Sequence, residues 1–211
     1  MKIVIVGGGK EPSPDLLTNN CKSSDLIIAA DRGAQYLSEN NIYPNILLGD
    51  FDSIDEEILE EIKKKNINMK VYPKEKDFTD SELALNIALE YNPKEIVLLG
   101  CTGTRMDHVF GNIGLLNKCL ERNIKGKIID DNNIIFLVNE STTLKDEGMK
   151  YIGFQGFRHR VRGFNIRDAK YDLYDHDLTF GECITVSNEF IKDTMDISFN
   201  EGVVMVIYSK D

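Results

Sequence analysis

Short apolar runs alternate with amphipathic stretches over roughly the first 132 residues. Runs such as Ile27-Ile28-Ala29-Ala30 and Val97-Leu98-Leu99 are apolar at every position, which is typical of strands that are covered on both faces. The pattern therefore predicts an α/β domain with a parallel sheet. The predicted strands are Ile3–Val6, Leu26–Ala30, Ile46–Leu48, Met69–Tyr72, Ile96–Leu99 and Lys127–Ile129, and the predicted helices are Asp15–Asn19, Arg32–Glu39, Glu56–Lys65, Asp80–Tyr91 and Phe110–Arg122.

Two helix starts carry capping signals. Ser53-Ile54-Asp55-Glu56 and Thr79-Asp80-Ser81-Glu82 both have the hydroxyl-x-x-acid form of a capping box. We expect Ser53 and Thr79 to cap the helices that follow. Asp80 then lies in a first helical turn, where the helix dipole stabilises an ionised carboxylate.

The hydrophobic pattern changes after Asp130-Asp131-Asn132-Asn133 to short, often alternating segments separated by turn residues. This pattern predicts an antiparallel sandwich or roll. We predict an α/β domain over residues 1–132, followed by a smaller antiparallel β-sandwich domain over residues 133–211. The expected strands of the second domain are Ile134–Val138, Thr142–Leu144, Tyr151–Phe154, Val161–Ile166, Ala169–Leu173, Cys183–Val186, Met195–Phe199 and Val203–Tyr208.

Composition limits the possible partners and location. The 35 acidic residues outnumber the 25 basic ones and give a net charge of −10, which disfavours a nucleic-acid partner. The apolar run at the amino terminus, Ile3-Val4-Ile5-Val6, is too short for a secretion signal or a membrane span. The cysteines form no Cys-x-x-Cys pair and fit reduced thiols. We expect a cytoplasmic protein that binds neither membrane nor nucleic acid.

Unusual residues follow successive predicted strands. They are Gly7-Gly8-Gly9, Asp31-Arg32-Gly33, Asp50-Phe51-Asp52, Asp77-Phe78-Thr79-Asp80 and the turn from Thr102 to His108. Ligands of open α/β sheets bind beyond the carboxyl ends of the strands, so these segments predict one shared site. The glycines form neither a P-loop nor a Rossmann fingerprint.

The acidic and basic side chains of these segments suit a polyphosphate and its metal. Asp50 and Asp52 could chelate one Mg²⁺, and the alternative is a surface turn. Arg105 could hold phosphate oxygens while Asp107 binds a metal or orients the arginine; the alternative is a simple ion pair. Together they indicate a phosphate-transfer enzyme.

At these residues the sequence resembles the thiamine pyrophosphokinases of the bacterial type. The resemblance extends over nearly the whole chain in order and spacing. It is carried by Asp31-Arg32-Gly33, Gly49-Asp50-Phe51-Asp52-Ser53, Lys76-Asp77-Phe78-Thr79-Asp80 with Ser81-Glu82-Leu83-Ala84-Leu85, Thr102-Gly103-Thr104-Arg105-Met106-Asp107-His108, Asp130-Asp131-Asn132-Asn133 and Thr185-Val186-Ser187-Asn188-Glu189.

The resemblance implies a thiamine diphosphokinase, which transfers a diphosphoryl group from ATP to thiamine, yields thiamine diphosphate and AMP, and requires Mg²⁺. It also implies an α/β domain, a β-sandwich, and a homodimer with its active site between subunits. The residues implied are Asp50, Asp52 and Asp80 for the metal and, with Arg105, for catalysis; Asp31, Arg32, Gly33, Asp77, Thr102, Gly103, Arg105 and Asp107 for the nucleotide; and, for thiamine, Ser187 of the partner subunit and Asn188 of the partner subunit.

The sequence leaves alternatives for the acceptor substrate and for the residues that contact it. The chain has no tryptophan, so any tryptophan that lines the thiamine pocket in relatives is replaced here. Tyr171, Tyr174 and Phe190 could offer an aromatic face to the thiazolium cation, although we favour positions in the sandwich core. The alternatives are a diphosphokinase acting on a pterin alcohol and a nucleotide-binding module without catalysis. The Ser187-Asn188-Glu189 segment favours thiamine.

Overall fold

The computed structural model describes residues 1–75 and 77–211, so Lys76 of the predicted acidic motif lies outside the described residues. The chain divides into two compact units, Met1–Asp131 and Asn132–Asp211. Among the described residues, no helix combines the length and the apolar character that a membrane span requires.

The first unit is a parallel sheet with helices. Its strands pair in the order β4-β3-β2-β1-β5-β6, and every pairing is parallel. The predicted α/β arrangement is confirmed. The strands are β1 (Lys2–Val6), β2 (Leu26–Ala30), β3 (Ile46–Gly49), β4 (Asn68–Val71), β5 (Glu95–Leu99) and β6 (Lys125–Ile129), and the helices are α1 (Pro14–Lys22), α2 (Gly33–Glu39), α3 (Glu56–Lys63), α4 (Asp80–Glu90) and α5 (Met106–Leu120).

The continuous apolar runs are buried because helices cover the sheet on both faces. Val4 and Val97 lie in one core with Leu17 of α1 and Leu37 of α2. Helix α4 packs against β1, β2 and β3, and α5 packs against β6. A strand that is buried on both faces needs apolar residues at consecutive positions, as the sequence has.

Strand order places a crevice between β1 and β5. From β1 the chain proceeds outward through β2, β3 and β4, and then crosses to β5 on the other side of β1. The connections leaving β1 and β5 therefore diverge at their carboxyl ends. Such a switch point is where α/β sheets bind ligands.

One of the two predicted helix caps is confirmed. The hydroxyl of Thr79 accepts a hydrogen bond from the Glu82 N–H at 3.2 Å, and α4 begins at Asp80. The cap predicted at Ser53 is wrong, although α3 begins at Glu56 as predicted, because Asp55 is its N-cap residue. Ser53 lies in the preceding turn, in which the Ile54 N–H donates to the Phe51 carbonyl at 3.3 Å.

The start of α5 also differs from the prediction. The helix begins at Met106, with Arg105 as its N-cap residue, and not at Phe110. The first turn of α5 contains charged and exposed residues and so lacks the apolar repeat of a helix. Buried apolar residues, such as Leu115 and Leu116, appear only further along the helix. Asp107 consequently lies in the first turn of α5.

The second unit contributes strands to two sheets, in which they pair antiparallel in the orders β7-β13-β9 and β11-β10-β12-β8. Side chains from both sheets form one hydrophobic core that includes Phe154, Phe164 and Met195. The prediction of an antiparallel domain is confirmed. Its strands are β7 (Asn133–Val138), β8 (Thr142–Lys145), β9 (Tyr151–Gly156), β10 (Val161–Arg167), β11 (Leu173–Leu178), β12 (Thr194–Ser198) and β13 (Val204–Ser209).

Two strand predictions in this unit are wrong. Residues 183–187 form a turn, in which the Val186 N–H donates to the Cys183 carbonyl at 3.1 Å. The strand predicted at Ala169–Leu173 begins only at Leu173. The Asp172 carboxylate accepts from the Ala169 N–H at 3.2 Å, and this local bond holds the preceding residues in a turn.

The aromatic residues of the second unit are divided between core and surface. Phe190 is partly buried, packs against the core and stacks on Tyr208 at a centroid distance of 5.9 Å. Tyr171 and Tyr174 are 58% and 61% exposed, so the core positions favoured for them are wrong. The sequence shows that these three positions are aromatic, but it does not show whether each side chain is buried or exposed.

Candidate active site

Two glycine-containing turns extend the pairing of β1 and β5 beyond the ends of these strands. The N–H of Gly7 donates to Leu99 at 2.8 Å, that of Gly9 to Gly100 at 2.7 Å, and that of Lys10 to Thr102 at 2.6 Å, in each case to the carbonyl. A Cβ at Gly9 would lie 2.3 Å from the Thr102 carbonyl oxygen, so only glycine permits this approach.

Two side chains that the sequence did not single out support these turns. The hydroxyl of Tyr36 donates to the Gly9 carbonyl at 2.9 Å, and the side-chain amide of Asn112 donates to the Cys101 carbonyl at 2.8 Å. Each belongs to a helix that follows a site segment, and each is a polar residue on a mostly buried face. A polar residue on an otherwise apolar helix face, directly after a site segment, is the sequence signal by which Tyr36 and Asn112 could have been identified.

Cys101 is a structural residue in one of these turns. Its side chain is buried, and burial raises the pKa of its thiol to about 12. The thiol therefore stays protonated and is a poor nucleophile at neutral pH.

Carboxylates from three elements converge near the crevice. Asp31 follows β2, Asp50 follows β3, and Asp80 begins α4. The carboxyl group of Asp31 hydrogen bonds to that of Asp80. Burial, this hydrogen bond and the negative charges of Asp80 and Asp50 raise the pKa of Asp31 to about 7.

The donor set fits a hard divalent cation. Oδ1 of Asp31 is buried and accepts no hydrogen bond from the described residues. A cation at this point would replace the proton that otherwise relieves the repulsion between carboxylates. In residues 1–75 and 77–211, no group of three or more His, Cys, Asp or Glu side chains is arranged so that it could hold a metal ion. Mg²⁺ does not need such a group, because it is commonly held by one or two carboxylates together with substrate phosphates and waters.

Asp52 lies apart from this convergence. Its carboxylate contacts the ammonium group of Lys74, with Nζ and Oδ2 2.5 Å apart, while its N–H donates to Oδ1 of Asp50 at 3.1 Å. The hydrogen bond and charge of Asp52 raise the pKa of Lys74. Both side chains are exposed, so this is a surface ion pair that a competing cation can open at little cost.

Arg105 and Asp107 form a two-bonded ion pair at the start of α5. Arginine Nε lies 3.3 Å from Oδ1 and Nη2 lies 2.6 Å from Oδ2. The hydrogen bond from Arg105 lowers the pKa of Asp107. The Arg105 side chain remains 70% exposed, so the guanidinium group is held in one orientation and is still open to a ligand.

The other predicted nucleotide residues lie around the same edge. The Arg32 guanidinium lies 5.9 Å from the centroid of the Tyr36 ring. Gly33 is buried at the start of α2, Asp77 is exposed, and Gly103 adopts φ +149°. Oγ1 of Thr102 is buried without a hydrogen-bond partner among the described residues.

The predicted thiamine residues lie in the second unit. Asn188 is buried, and its side-chain amide accepts from the Tyr171 N–H at 3.0 Å and donates to the Tyr171 carbonyl at 2.8 Å. Its backbone pairs with Ile152 in both directions. Ser187 is exposed and adopts φ +58°. Asn188 therefore holds the surrounding turns, while Ser187 and Tyr171 are exposed.

Comparison with known proteins gives matches over both units. Residues 17–128 match the model of the thiamin pyrophosphokinase catalytic domain, and residues 141–204 match that of the thiamin pyrophosphokinase vitamin B1 binding domain. The thiamine pyrophosphokinase of Bacillus subtilis (strain 168) is 39% identical over 210 residues, which cover 99% of this chain and 98% of the relative.

Solved structures agree. A crystal structure of thiamine pyrophosphokinase from Bacillus subtilis matches with a TM-score of 0.91 and 34% identity, covering 100% of both chains. A structure of thiamin pyrophosphokinase from Geobacillus thermodenitrificans matches with a TM-score of 0.87 and 33% identity, covering 100% of this chain and 98% of the other.

Proposed function

Because the chain belongs to the thiamin pyrophosphokinase family, we propose that the carboxylates converging beyond β2, β3 and the start of α4 are the centre at which it uses Mg²⁺ and ATP. The enzyme is a thiamine diphosphokinase, which transfers a diphosphoryl group from ATP to thiamine. The observation that carries the site assignment is the hydrogen-bonded contact between Asp31 and Asp80, with the charge of Asp50 acting on Asp31.

The reaction moves two phosphoryl groups together. The hydroxyl oxygen of thiamine forms a bond to the β-phosphorus of ATP and releases its proton to water, the bond from that phosphorus to the α,β-bridging oxygen breaks, and AMP leaves. When bound, Mg²⁺ neutralises charge on the phosphate oxygens. Asp50 and Asp80 would hold it, with Asp31 adjacent. Such transfers need little base assistance, so no residue is assigned as general base.

Arg105 supplies the positive charge of the protein at this centre. A guanidinium fork binds two phosphate oxygens at once, and the bonds to Asp107 fix the plane of that fork before the nucleotide arrives. The Arg105 guanidinium group can then stabilise the charge that develops on the non-bridging oxygens without reorganisation of the protein. Asp107 is thus a positioning residue for Arg105.

Asp52 is the third carboxylate proposed for the metal. Its ion pair with Lys74 shows a side chain that already holds a cationic group. On binding of the metal and nucleotide, Asp52 would exchange the ammonium group for the metal. Lys74 would then be free to approach the polyphosphate.

We place the thiamine end at Ser187 and Tyr171. The exposed tyrosine ring offers a π face to a thiazolium cation, and Asn188 fixes the backbone that carries it. A homodimer, in which this surface serves the partner's catalytic unit, is part of the proposal. So is a cytoplasmic location, which suits the free thiols of Cys21, Cys101, Cys119 and Cys183.

The test is to incubate the purified protein with ATP and Mg²⁺, with and without thiamine, and to resolve the products. Equal amounts of AMP and thiamine diphosphate that depend on thiamine would support the function. Formation of AMP only with a pterin alcohol would overturn the substrate, and no AMP with either acceptor would favour a nucleotide-binding module. Arg105→Lys, which keeps the charge but loses the fork, should reduce kcat/KM by about 10-fold or more.

A further inference from the structure

Gly49, the last residue of β3, occupies a position where no other residue fits. A Cβ built on its backbone would lie 1.7 Å from Oδ1 of Asp31 and 2.6 Å from the Cγ of that carboxyl group. Both distances are far below any van der Waals contact. The carboxyl group of Asp31 therefore lies in the space that a side chain at position 49 would fill.

The backbone at this point leaves neither residue room to move. Gly49 adopts φ +138°, and its carbonyl accepts from the Tyr72 N–H at 2.9 Å. Asp31 adopts φ +47°, and its N–H donates to the Leu48 carbonyl at 2.9 Å. Each residue is thus tied to a neighbouring strand, and a clash could be relieved only by rotation of the Asp31 side chain away from position 49.

Rotation of Asp31 would disrupt the convergence of carboxylates. Its carboxyl group is hydrogen bonded to Asp80, and its Oδ1, the atom nearest position 49, is buried without a hydrogen-bond partner among the described residues. The carboxyl group of Asp31 can contribute to the proposed cation site only if it stays in contact with Asp80.

We propose that Gly49 is a positioning residue for the reaction, because its missing side chain provides the space that holds Asp31 against Asp80. In this role Gly49 acts only through Asp31. The inference rests on the proposed function, since it assigns a role to the cation site of that function. It adds that this site depends on a residue without a side chain.

The experiment is a double-mutant cycle of Gly49→Ala, Asp31→Ala and the double variant. Binding of α,β-methylene ATP with Mg²⁺ is measured by calorimetry, since this analogue cannot be cleaved at the α,β bridge. We expect Gly49→Ala to weaken binding about 10-fold when Asp31 is present and less than about 2-fold when residue 31 is alanine. Equal losses in both backgrounds would overturn the proposal.

Thermal unfolding of the same four proteins gives a second readout that needs no ligand. If the alanine methyl group clashes with Asp31, the double variant should melt at a higher temperature than Gly49→Ala alone; a lower or equal temperature would overturn the proposal. Gly148→Ala is the control for positive φ, because Gly148 adopts φ +75° with nothing within 4 Å of its built Cβ. It should leave nucleotide binding unchanged.

Failure of the proposed function would look different. In that case the unaltered protein would not bind the Mg²⁺ and nucleotide pair, while the melting temperatures would still report the coupling of Gly49 with Asp31. Binding by the unaltered protein without such coupling would overturn the role of Gly49 alone.

Discussion

The side-chain amide of Asn188 hydrogen bonds to both ends of one residue, accepting from the Tyr171 N–H at 3.0 Å and donating to the Tyr171 carbonyl at 2.8 Å. The asparagine is 2% exposed, whereas the tyrosine is 58% exposed. A buried polar group thus fixes an exposed aromatic ring. The pair links the interior of the second unit to its proposed substrate surface.

Asn188→Ala should leave the Tyr171 N–H and carbonyl without their partners. We expect a loss of about 1–3 kcal/mol in the free energy of unfolding, measured by denaturant titration. The KM for thiamine should rise, whereas the KM for ATP should not. Asn117→Ala, which removes an exposed contact to Glu121, is the matched control. An equal rise in both KM values would show that Asn188 has no specific link to the thiamine end.

Asp50→Asn and Asp80→Asn should each lower kcat/KM by about 100-fold or more, because each removes a charge from the proposed metal site. Steady-state kinetics at saturating Mg²⁺ measure the effect. Asp15→Asn, at an exposed position in the first turn of α1, is the control and should retain full activity. Near-normal activity of either site variant would remove that residue from the metal site.

Lys74→Met should lower the Mg²⁺ concentration needed for half-maximal activity, because it removes a cation that competes with the metal for Asp52. Lys74→Arg keeps a competing cation and should change this concentration little. Mn²⁺ titration followed by electron paramagnetic resonance measures the same competition without turnover. If neither measurement moves, Asp52 is not a metal ligand that competes with Lys74.

Asp31 should make stability depend on pH. Its pKa is raised from 3.8 to about 7 in the folded protein, so the folded state binds this proton more tightly than the unfolded state does. The stability of the unaltered protein should therefore fall as the pH rises from about 4 to about 7. Asp31→Asn has no such proton to lose, so its advantage in Tm should grow over this range and then stay constant.

Melting curves of both proteins without Mg²⁺, at intervals from pH 4.5 to 8.5, test this dependence. A difference in Tm that does not change with pH would mean that Asp31 titrates at its ordinary value. Added Mg²⁺ with nucleotide should reduce the difference at high pH, since the cation takes the place of the proton.

The sequence predicted the first unit well because its signals are local. Continuous apolar runs such as Ile3-Val4-Ile5-Val6 indicate strands that are covered on both faces of a sheet. The hydroxyl of Thr79 caps a helix through the N–H of Glu82, only three residues later. Ser53 carries the same signal, but the left-handed backbone of Phe51, at φ +64°, creates a turn that no residue preference at position 51 announces.

The contacts of the site depend on side chains that are distant in sequence. That Asp31 lies against Asp80, and Asp52 against Lys74, follows from the packing of separate elements and cannot be read from spacing. The second unit was harder for the same reason, since the Asn188 contact that shapes the turn at Tyr171 spans 17 positions. The motifs identified the residues of the candidate site but not which of them contact one another.

The joined turns after β1 and β5 also limit how the enzyme could be engineered. Residues from Gly7 to Lys10 are bound to residues 99–102 through main-chain groups, and a methyl group at Gly9 would collide with a carbonyl oxygen. Libraries randomised at these turns would yield mostly misfolded variants. A search for altered nucleotide preference would do better with exposed positions at the rim, such as Arg32, where diversity costs the scaffold little.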